Sequence, residues 1–229
     1  MGRLRPRQAG RSPRLIPDRS AFILANTRVS RPVHCPEIQL HLADDAVALW
    51  ELTEEELGRL GLDPPFWAFA WAGGQALARY LLDRPHIVRA KRVLDLASGS
   101  GLGAIAAMLA GAASALANDI DPFAAEASRL NADLNGVLVA VHCGDLIGQD
   151  LDFDVILVGD LFYDRDLAQL LLAWLRRLQA SGVEVFVGDP RRSYFPAAEF
   201  TQLAQYSVPT SRALEDAEIK LTGVWQLKA

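Results

Sequence analysis

The chain has 229 residues, of which 51% are hydrophobic and 22% are charged, and its formal net charge is −5. This composition is typical of one globular domain, which at this length buries roughly 70% of the surface that the unfolded chain exposes. Two cysteines, Cys35 and Cys143, are too few for a disulfide-rich scaffold or a cysteine-rich zinc site, and we expect no bound metal.

Residues 1–20 form an Arg-rich extension that we expect to be disordered. Six arginines and one acid give residues 1–19 a charge of +5. Pro6, Pro13 and Pro17 interrupt the amphipathic helix that a mitochondrial presequence would form. We therefore expect the bacterial cytoplasm as the location, with the mitochondrial matrix as the alternative.

The rest of the chain carries a net charge of −10, which disfavours nucleic acid as a partner and suits a basic protein. Residues 41–65 contribute seven acids to this charge and one base, Arg59. This acidic stretch is either a docking face for a lysine-bearing partner or a solvated helix, whose start the capping box Thr53–Glu56 indicates. We expect the protein to be a monomer.

Residues 21–90 are predicted to be an N-terminal segment that covers the substrate and the cofactor. Their pattern predicts a strand over residues 37–42 and a helix over residues 73–82. Trp67 and Trp71 lie one helical turn apart. We assign Trp67 to the core and Trp71 to the cofactor site.

Residues 91–229 alternate short apolar runs with helical patterns, which predicts right-handed crossovers and a mostly parallel sheet. The predicted fold class is α/β, a Rossmann-like seven-stranded sheet with helices on both faces, plus the N-terminal extension. No full helix separates the last two strands, which favours an antiparallel end of the sheet. The predicted strands span residues 92–97, 113–119, 137–143, 153–160, 183–188, 206–208 and 219–226, and the predicted helices span residues 102–110, 122–135, 164–180 and 196–203.

The longest uncharged run, residues 96–118, is long enough to cross a bilayer. It is rich in glycine and alanine and lies between Asp95 and Asp119. We interpret this run as a loop, a helix and a strand, and expect no association with a membrane.

Acids and glycines fall at the carboxyl ends of the predicted strands, where ligands bind in open α/β sheets. Asp95 lies near the end of the first strand, and Gly99-Ser-Gly-Leu-Gly103 forms the turn into the first helix. Asp119 closes the second strand, where a carboxylate can accept both ribose hydroxyls of an adenosine. Asp145 follows the third strand, where an acid can accept from an adenine amino group, and Asp160 ends the fourth.

A glycine turn followed by a ribose-binding acid is shared by nicotinamide enzymes and by enzymes that use S-adenosylmethionine. The carboxylate of Asp95, four residues before Gly99, would repel a pyrophosphate but attract the ammonium group of a methionine. The aromatic residues in Asp160-Leu-Phe-Tyr163 suit a sulfonium and an alkylammonium. These features favour S-adenosylmethionine as the cofactor and S-adenosylhomocysteine as its product.

The segment Val93-Leu-Asp-Leu-Ala-Ser-Gly-Ser-Gly101 resembles motif I of the class I, or seven-β-strand, methyltransferases. Asp160-Leu-Phe-Tyr163 resembles the Asp-x-x-Tyr/Phe signature of their protein lysine methyltransferase branch. Over about residues 33–226 the chain is similar to the lysine methyltransferases of the electron transfer flavoprotein beta subunit. The segments that carry this similarity are Pro36–Leu40, Phe66–Trp71, Gly73–Leu82, Asn118–Pro122, Gly159–Asp164 and Gly188–Pro190.

Two positions depart from the pattern of these relatives. Ala97 stands where most class I enzymes have glycine, and Ala72 stands where the relatives have proline. The alanine at position 97 costs little if its φ is negative.

The resemblance implies a protein-lysine N-methyltransferase that uses S-adenosylmethionine and acts on the flavoprotein beta subunit as its partner. Tyr163 either walls the lysine channel or packs at the start of the next helix. Arg191 and Arg192 either contact the substrate or form a solvated loop. The resemblance places Trp71 beside the cofactor, Asp95, Ser98 and Gly99 along its methionine part, Asp119 at its ribose, Asp145 and Leu146 at its adenine end, and Asp160 against the lysine.

The expected reaction is an in-line displacement in which a neutral lysine nitrogen attacks the methyl group. Unperturbed pKa values of ~3.9 and ~10.4 make proton transfer from lysine to Asp160 uphill by roughly 9 kcal/mol. We therefore expect Asp160 to orient the amine, while the proton leaves to solvent. Two alternatives stay open: a small-molecule (nicotinamide-type) N-methyltransferase of the same fold, and a non-catalytic binding module.

Overall fold

The computed structural model describes residues 18–43, 64–210 and 218–228. Its strands are β1 (Arg28–Ser30), β2 (Leu40–Leu42), β3 (Arg92–Leu96), β4 (Ser114–Asp119), β5 (Ala140–Cys143), β6 (Val155–Gly159), β7 (Glu184–Asp189), β8 (Phe200–Pro209) and β9 (Ile219–Leu227). Its α-helices are α1 (Arg19–Asn26), α2 (Ala72–Asp83), α3 (Leu102–Leu109), α4 (Pro122–Leu134) and α5 (Arg165–Ala180). Short 3₁₀ turns span Phe66–Ala68, Pro85–Ile87 and Ala197–Glu199.

Strands β3 to β9 form one sheet in the order β5-β4-β3-β6-β7-β9-β8. The neighbours from β5 to β7 run parallel, whereas β9 runs antiparallel to both β7 and β8. This arrangement confirms the predicted seven-stranded sheet and its antiparallel end. A separate antiparallel pair, β1 with β2, forms a small second sheet.

Successive side chains of the central strands point to opposite faces of the sheet, so that each face needs its own helices. Val93 packs in a cluster with Leu77 of α2 and Ile105 of α3. Its neighbour Leu94 packs in a second cluster with Trp174 of α5. The predicted helices on both faces are therefore confirmed.

The predicted helix over residues 196–203 is wrong. Only Ala197–Glu199 form a 3₁₀ turn, and Phe200 begins β8. Strand β8 pairs with β9 along nearly its whole length and buries Phe200 and Val208. Pairing across the sheet thus prevails over the local helical preference, as tertiary contacts commonly do.

Helix α1 begins inside the extension that is predicted to be disordered, so that prediction is wrong for Arg19 and Ser20. Asp18 caps the helix by accepting a hydrogen bond from the Ala21 amide at 2.9 Å. Ile23 is fully buried. This cap and the apolar run that follows it were not recognised in the sequence, because the arginines nearby indicated a disordered segment.

The structure describes only part of the N-terminal segment for which the other predictions were made. Residues 1–17 and residues 44–63, which include the capping box and most of the acidic stretch, lie outside them. The strand predicted over residues 37–42 shortens to β2.

The uncharged run is a loop followed by α3 and β4, as predicted. Within the part of the chain that the structure describes, no helix has both the length and the apolar character needed to cross a bilayer.

The N-terminal end of α2 lies directly against the ends of β6 and β7. A Cβ atom on Gly73 would lie 2.1 Å from the carbonyl oxygen of Gly188, and a Cβ on Gly188 would lie 2.0 Å from that of Gly73. A Cβ on Gly159 would come within 3.3 Å of Gly74. This backbone contact requires glycine at Gly73 and Gly188, and it fixes α2 over the ends of two parallel strands.

We predict that Gly73→Ala destabilises the protein by about 3 kcal/mol or more, because its methyl group overlaps the backbone of β7. Gly74→Ala is the matched control, because among the described residues its Cβ would meet only Leu102, at 3.9 Å. We expect Gly74→Ala to keep or slightly raise the stability. Urea unfolding of both variants measures the difference, and equal stability of the two would contradict the contact.

Candidate active site

The turn between β3 and α3 uses left-handed backbone at alternate residues. Gly99 has a φ of +52° and Gly101 a φ of +78°. A Cβ on Gly101 would lie 3.0 Å from Ser128 of α4, so that this glycine also lets α4 approach the turn. Ala97 has a φ of +51°, which corrects the expectation of a negative φ and leaves this alanine strained.

The carboxylate of Asp119, at the end of β4, is tied to this turn. Its Oδ2 accepts from the Gly99 amide at 2.9 Å, and its Oδ1 accepts from the Asp121 amide at 3.1 Å. Ser98 donates its amide to the carbonyl of Asn118 at 2.9 Å. The structure therefore brings Ser98, Gly99 and Asp119 together, as the sequence predicted.

Asp95 lies beneath the same turn and is 5% exposed. Its Oδ2 accepts from the Ala104 amide at 2.8 Å, in the first turn of α3. Burial, together with the nearby charge of Asp119, raises the pKa of Asp95 to about 7. A carboxylate of the chain itself therefore occupies the helix N-terminus that holds the phosphate in dinucleotide sites.

Asp145 and Leu146 follow β5 at the edge of this region. The amide of Gly144 donates to the carbonyl of Asp119 at 2.8 Å, which places the two segments side by side. Asp145 is exposed and accepts from the Ile147 amide at 2.9 Å, whereas Leu146 is buried. One polar and one apolar side chain thus stand near the ribose-binding candidate Asp119.

Asp160 lies at the end of β6, 8% exposed, with a φ of +56°. Its amide donates to the carbonyl of Gly188 at 2.9 Å, and its Oδ2 accepts from the Gly74 amide at 3.0 Å. Its Oδ1 accepts from Nε of Arg192 at 3.0 Å and from Nη2 at 2.6 Å. The close contact with α2 thus holds the carboxylate at one point on the edge of the sheet.

Aromatic side chains form a rim between the glycine turn and Asp160. Trp71 donates its indole N–H to the carbonyl of Phe66 at 2.9 Å, and the two rings are 5.7 Å apart. The ring of Phe66 is 6.3 Å from that of Tyr163, which is 52% exposed. A Cβ on Gly99 would lie 4.0 Å from the same Phe66 carbonyl. The rim therefore reaches from the turn at Gly99 to the residues beside Asp160.

The two tryptophans differ in their burial. Trp67 is 3% exposed and stacks on Phe123 at 6.0 Å, which confirms its assignment to the core. Trp71 is half-buried at the rim, with the guanidinium of Arg192 5.6 Å from the centre of its ring.

Two further site residues were not assigned from the sequence. Asp189 ends β7 beside Asp160, because Gly159 and Gly188 are partners in the sheet register. The segment Gly188-Asp-Pro190 and the parallel register together were the signal that could have identified it. Arg192, for which two interpretations stayed open, pairs with Asp160 and is 18% exposed.

Asp189 is fully buried, and its Oδ1 accepts from the Arg192 amide at 2.7 Å. Within the described residues, its Oδ2 has no hydrogen-bond partner. Burial is the main cause that raises the pKa of Asp189 to about 7, and the charge of Asp160 adds to it.

The donor set fits S-adenosylmethionine better than a dinucleotide. Asp95 fills the helix N-terminus that a pyrophosphate would need, and the acids at the ends of five neighbouring strands, β3 to β7, favour a cationic ligand. Asp119 lies beside a turn whose glycines let a ligand approach the backbone, at a strand end where a carboxylate can accept from the hydroxyls of a diol.

We predict that Ala97→Gly stabilises the protein by about 0.5–1 kcal/mol. Relief of the left-handed strain outweighs the greater freedom of glycine in the unfolded chain. Ala113→Gly is the control, because Ala113 is exposed and lies outside the positive-φ residues, so glycine should only destabilise there. Thermal unfolding of both variants gives the sign, and a loss of stability in Ala97→Gly would refute the strain.

We predict that Asp189→Asn changes how stability depends on pH. The pKa of Asp189 is raised in the folded state, so that state binds more protons between about pH 4 and pH 7. The free energy of unfolding of the wild type therefore falls as the pH rises through this window, and Asp189→Asn should lose that part of the fall. Relative to the wild type, this variant should be more stable at pH 8 than at pH 5.

The control for this experiment is Asp154→Asn. Arg92 lowers the pKa of Asp154 to about 2, so its stabilising contribution is lost only below about pH 4. Its effect should be the same at pH 5 and pH 8 in urea unfolding. A wild-type pH dependence that Asp189→Asn leaves unchanged would contradict the raised pKa.

Comparisons with known proteins show that this fold is shared with methyltransferases. A family model described as ribosomal protein L11 methyltransferase (PrmA) matches residues 76–183. A solved structure of magnesium protoporphyrin IX methyltransferase from Synechocystis, with bound S-adenosylhomocysteine, aligns with a TM-score of 0.51 at 12% identity. The alignment covers 68% of this chain and 81% of that one, and it shows the shared fold.

Several curated relatives match nearly the whole chain. The electron transfer flavoprotein beta subunit lysine methyltransferase of Xenopus laevis is 43% identical over 215 residues, which cover 91% of this chain and 86% of the relative. The enzyme of the same name from Mus musculus is 41% identical over 219 residues, covering 92% and 85%. The chain therefore belongs to the family of electron transfer flavoprotein beta subunit lysine methyltransferases.

Proposed function

We propose that this chain transfers methyl groups from S-adenosylmethionine to lysine side chains of the electron transfer flavoprotein beta subunit. Membership of the family supports this activity. The observation that carries it lies on the acceptor side of the site, where the substrate amine would bind. There the mostly buried carboxylate of Asp160 lies beside the aromatic rim and pairs with a cation of the chain itself, the guanidinium of Arg192. A carboxylate and aromatic faces are the groups that recognise a lysine side chain.

S-adenosylmethionine, when bound, supplies a methyl group that its sulfonium has already activated. We assign its ribose to Asp119, its methionine part to Asp95, Ser98 and Gly99, and its adenine end to Asp145 and Leu146, with Trp71 beside it. The support for this assignment is the order of these residues along the carboxyl edge of the sheet, where β3, β4 and β5 are neighbours. Asp95 acts through the backbone of α3 and through its charge, because its Oδ2 is bonded to the Ala104 amide.

Asp160 orients the substrate amine. Its Oδ2 accepts from the Gly74 amide at 3.0 Å, so one oxygen is held by the fold while the other meets a cationic group. A carboxylate fixed in this way is placed to accept N–H bonds from the amine and to direct the nitrogen lone pair. Transfer of the lysine proton to a carboxylate of ordinary pKa would be uphill by roughly 9 kcal/mol. The proton therefore leaves to solvent before the nitrogen reacts.

The cost of that deprotonation falls when the cofactor site is filled. Phe66 and Trp71 flank one side of the acceptor position, which is the place of the substrate amine, and Tyr163 forms the exposed wall of the lysine channel. A positive charge next to this position, as a bound sulfonium would supply, disfavours a second cation, so the pKa of a lysine there falls. The filled site thus favours the neutral amine that the reaction needs.

We predict that Asp160→Asn lowers kcat by about 100-fold, because the amine loses a charge-assisted hydrogen bond in the transition state. The affinity for S-adenosylmethionine should stay within about threefold. Asp166→Asn is the matched control, since Asp166 is exposed in the first turn of α5 and should keep full activity. Calorimetry and steady-state kinetics measure both quantities. Normal turnover with a collapsed affinity for S-adenosylmethionine would show that Asp160 serves the donor and not the acceptor.

The substrate is tested by transfer of a radiolabelled methyl group to purified flavoprotein beta subunit and, in parallel, to nicotinamide. We expect label on the flavoprotein and none on nicotinamide. Label on nicotinamide alone would support a small-molecule methyltransferase, and binding of S-adenosylmethionine without label on either would support a non-catalytic module.

A further inference from the structure

Arg192 contacts the acceptor part of the site through its guanidinium. Its Nε and Nη2 both bond Oδ1 of Asp160, at 3.0 and 2.6 Å. Its guanidinium lies 5.6 Å from the centre of the Trp71 ring. These are the two kinds of partner, a carboxylate and an aromatic face, that the proposed function assigns to the substrate lysine.

The backbone and the side chain of Arg192 are held by different contacts. The backbone is anchored, because its amide donates to the buried Asp189 at 2.7 Å. The side chain crosses from the loop after β7 to Asp160 at the end of β6, and it remains 18% exposed. A long side chain that reaches the solvent can leave its partner by rotation while the loop stays in place.

The charge of Arg192 has a clear role while no substrate is bound. Asp160 is 8% exposed, and the neighbouring Asp189 is fully buried and lacks a partner for its Oδ2 within the described residues. A mostly buried carboxylate without a counter-charge is costly. Arginine is suited to this place because it stays protonated, and the delocalised lone pairs of its guanidinium nitrogens are poor acceptors of a methyl group.

We propose that Arg192 is an internal stand-in for the substrate lysine: its guanidinium holds the acceptor position of the resting enzyme, and the incoming lysine displaces it from Asp160. The proposal rests on the proposed function, because it assigns the acceptor position to the contact between Arg192 and Asp160. Exchange of one cation for another keeps Asp160 paired until the lysine loses its proton. The stability of the internal pair therefore sets part of the affinity for the substrate.

The first test measures binding without turnover. Calorimetry of the flavoprotein beta subunit with the full chain and S-adenosylhomocysteine at pH 8 compares the wild type with Arg192→Gln. We expect about tenfold tighter binding to Arg192→Gln, because the competing cation is gone. Arg191→Gln is the matched control: Arg191 is exposed and lies 5.3 Å from the ring of Trp225, and we expect no change. Unchanged or weaker binding to Arg192→Gln would overturn the proposal.

The second test converts the stand-in into a substrate. In Arg192→Lys an amine takes the place of the guanidinium, and mass spectrometry after incubation with S-adenosylmethionine reports methylation at position 192. In this step the nitrogen forms a bond to the methyl carbon as the sulfur–carbon bond breaks, S-adenosylhomocysteine leaves with the electron pair, and the amine proton is lost to solvent. We expect a methyl group at position 192 in this variant, none in the wild type and none in Arg191→Lys.

The outcomes separate this proposal from the proposed function. A wild type that binds S-adenosylmethionine but does not label the flavoprotein would refute the proposed function. Methylation at position 192 would still show that the guanidinium marks the acceptor position. A folded Arg192→Lys that labels the flavoprotein but carries no methyl group at position 192 would overturn the stand-in.

Discussion

The arrangement of the site depends on a contact between two stretches of backbone, Gly73 of α2 against Gly188 of β7. Because neither residue has a side chain, the first turn of α2 reaches the ends of β6 and β7. There the Gly74 amide bonds to Asp160. The contact links the N-terminal part of the chain to the sheet, and it fixes the acid that we assign to the substrate amine.

The buried carboxylates at the strand ends are each compensated in a different way. Asp95 accepts from an amide at the start of α3, and its carboxylate thereby keeps phosphate away from that helix N-terminus. Asp160 holds a guanidinium that can leave. Asp189, whose pKa is raised to about 7, anchors the backbone of that same arginine. A site with this excess of acids attracts a cationic donor and an entering lysine ammonium, and Arg192 occupies the acceptor position until the lysine binds.

The sheet and the position of the site at its carboxyl edge could be predicted from the sequence, because apolar runs, glycines and acids recur at the period of βα units. Local patterns could not predict contacts made at long range. Phe200 enters a strand because β9 is beside it. Arg192 reaches Asp160 only through the register of β6 and β7. The strain at Ala97 could not be predicted either, because it depends on the φ that the turn imposes.

The most direct measurement is a crystal structure of the full chain with S-adenosylhomocysteine and the flavoprotein beta subunit. The account predicts a lysine nitrogen of the flavoprotein within hydrogen-bond distance of Asp160, beside Trp71, with the guanidinium of Arg192 turned away. A complex in which the pair of Arg192 and Asp160 stays intact and the lysine lies elsewhere would contradict it.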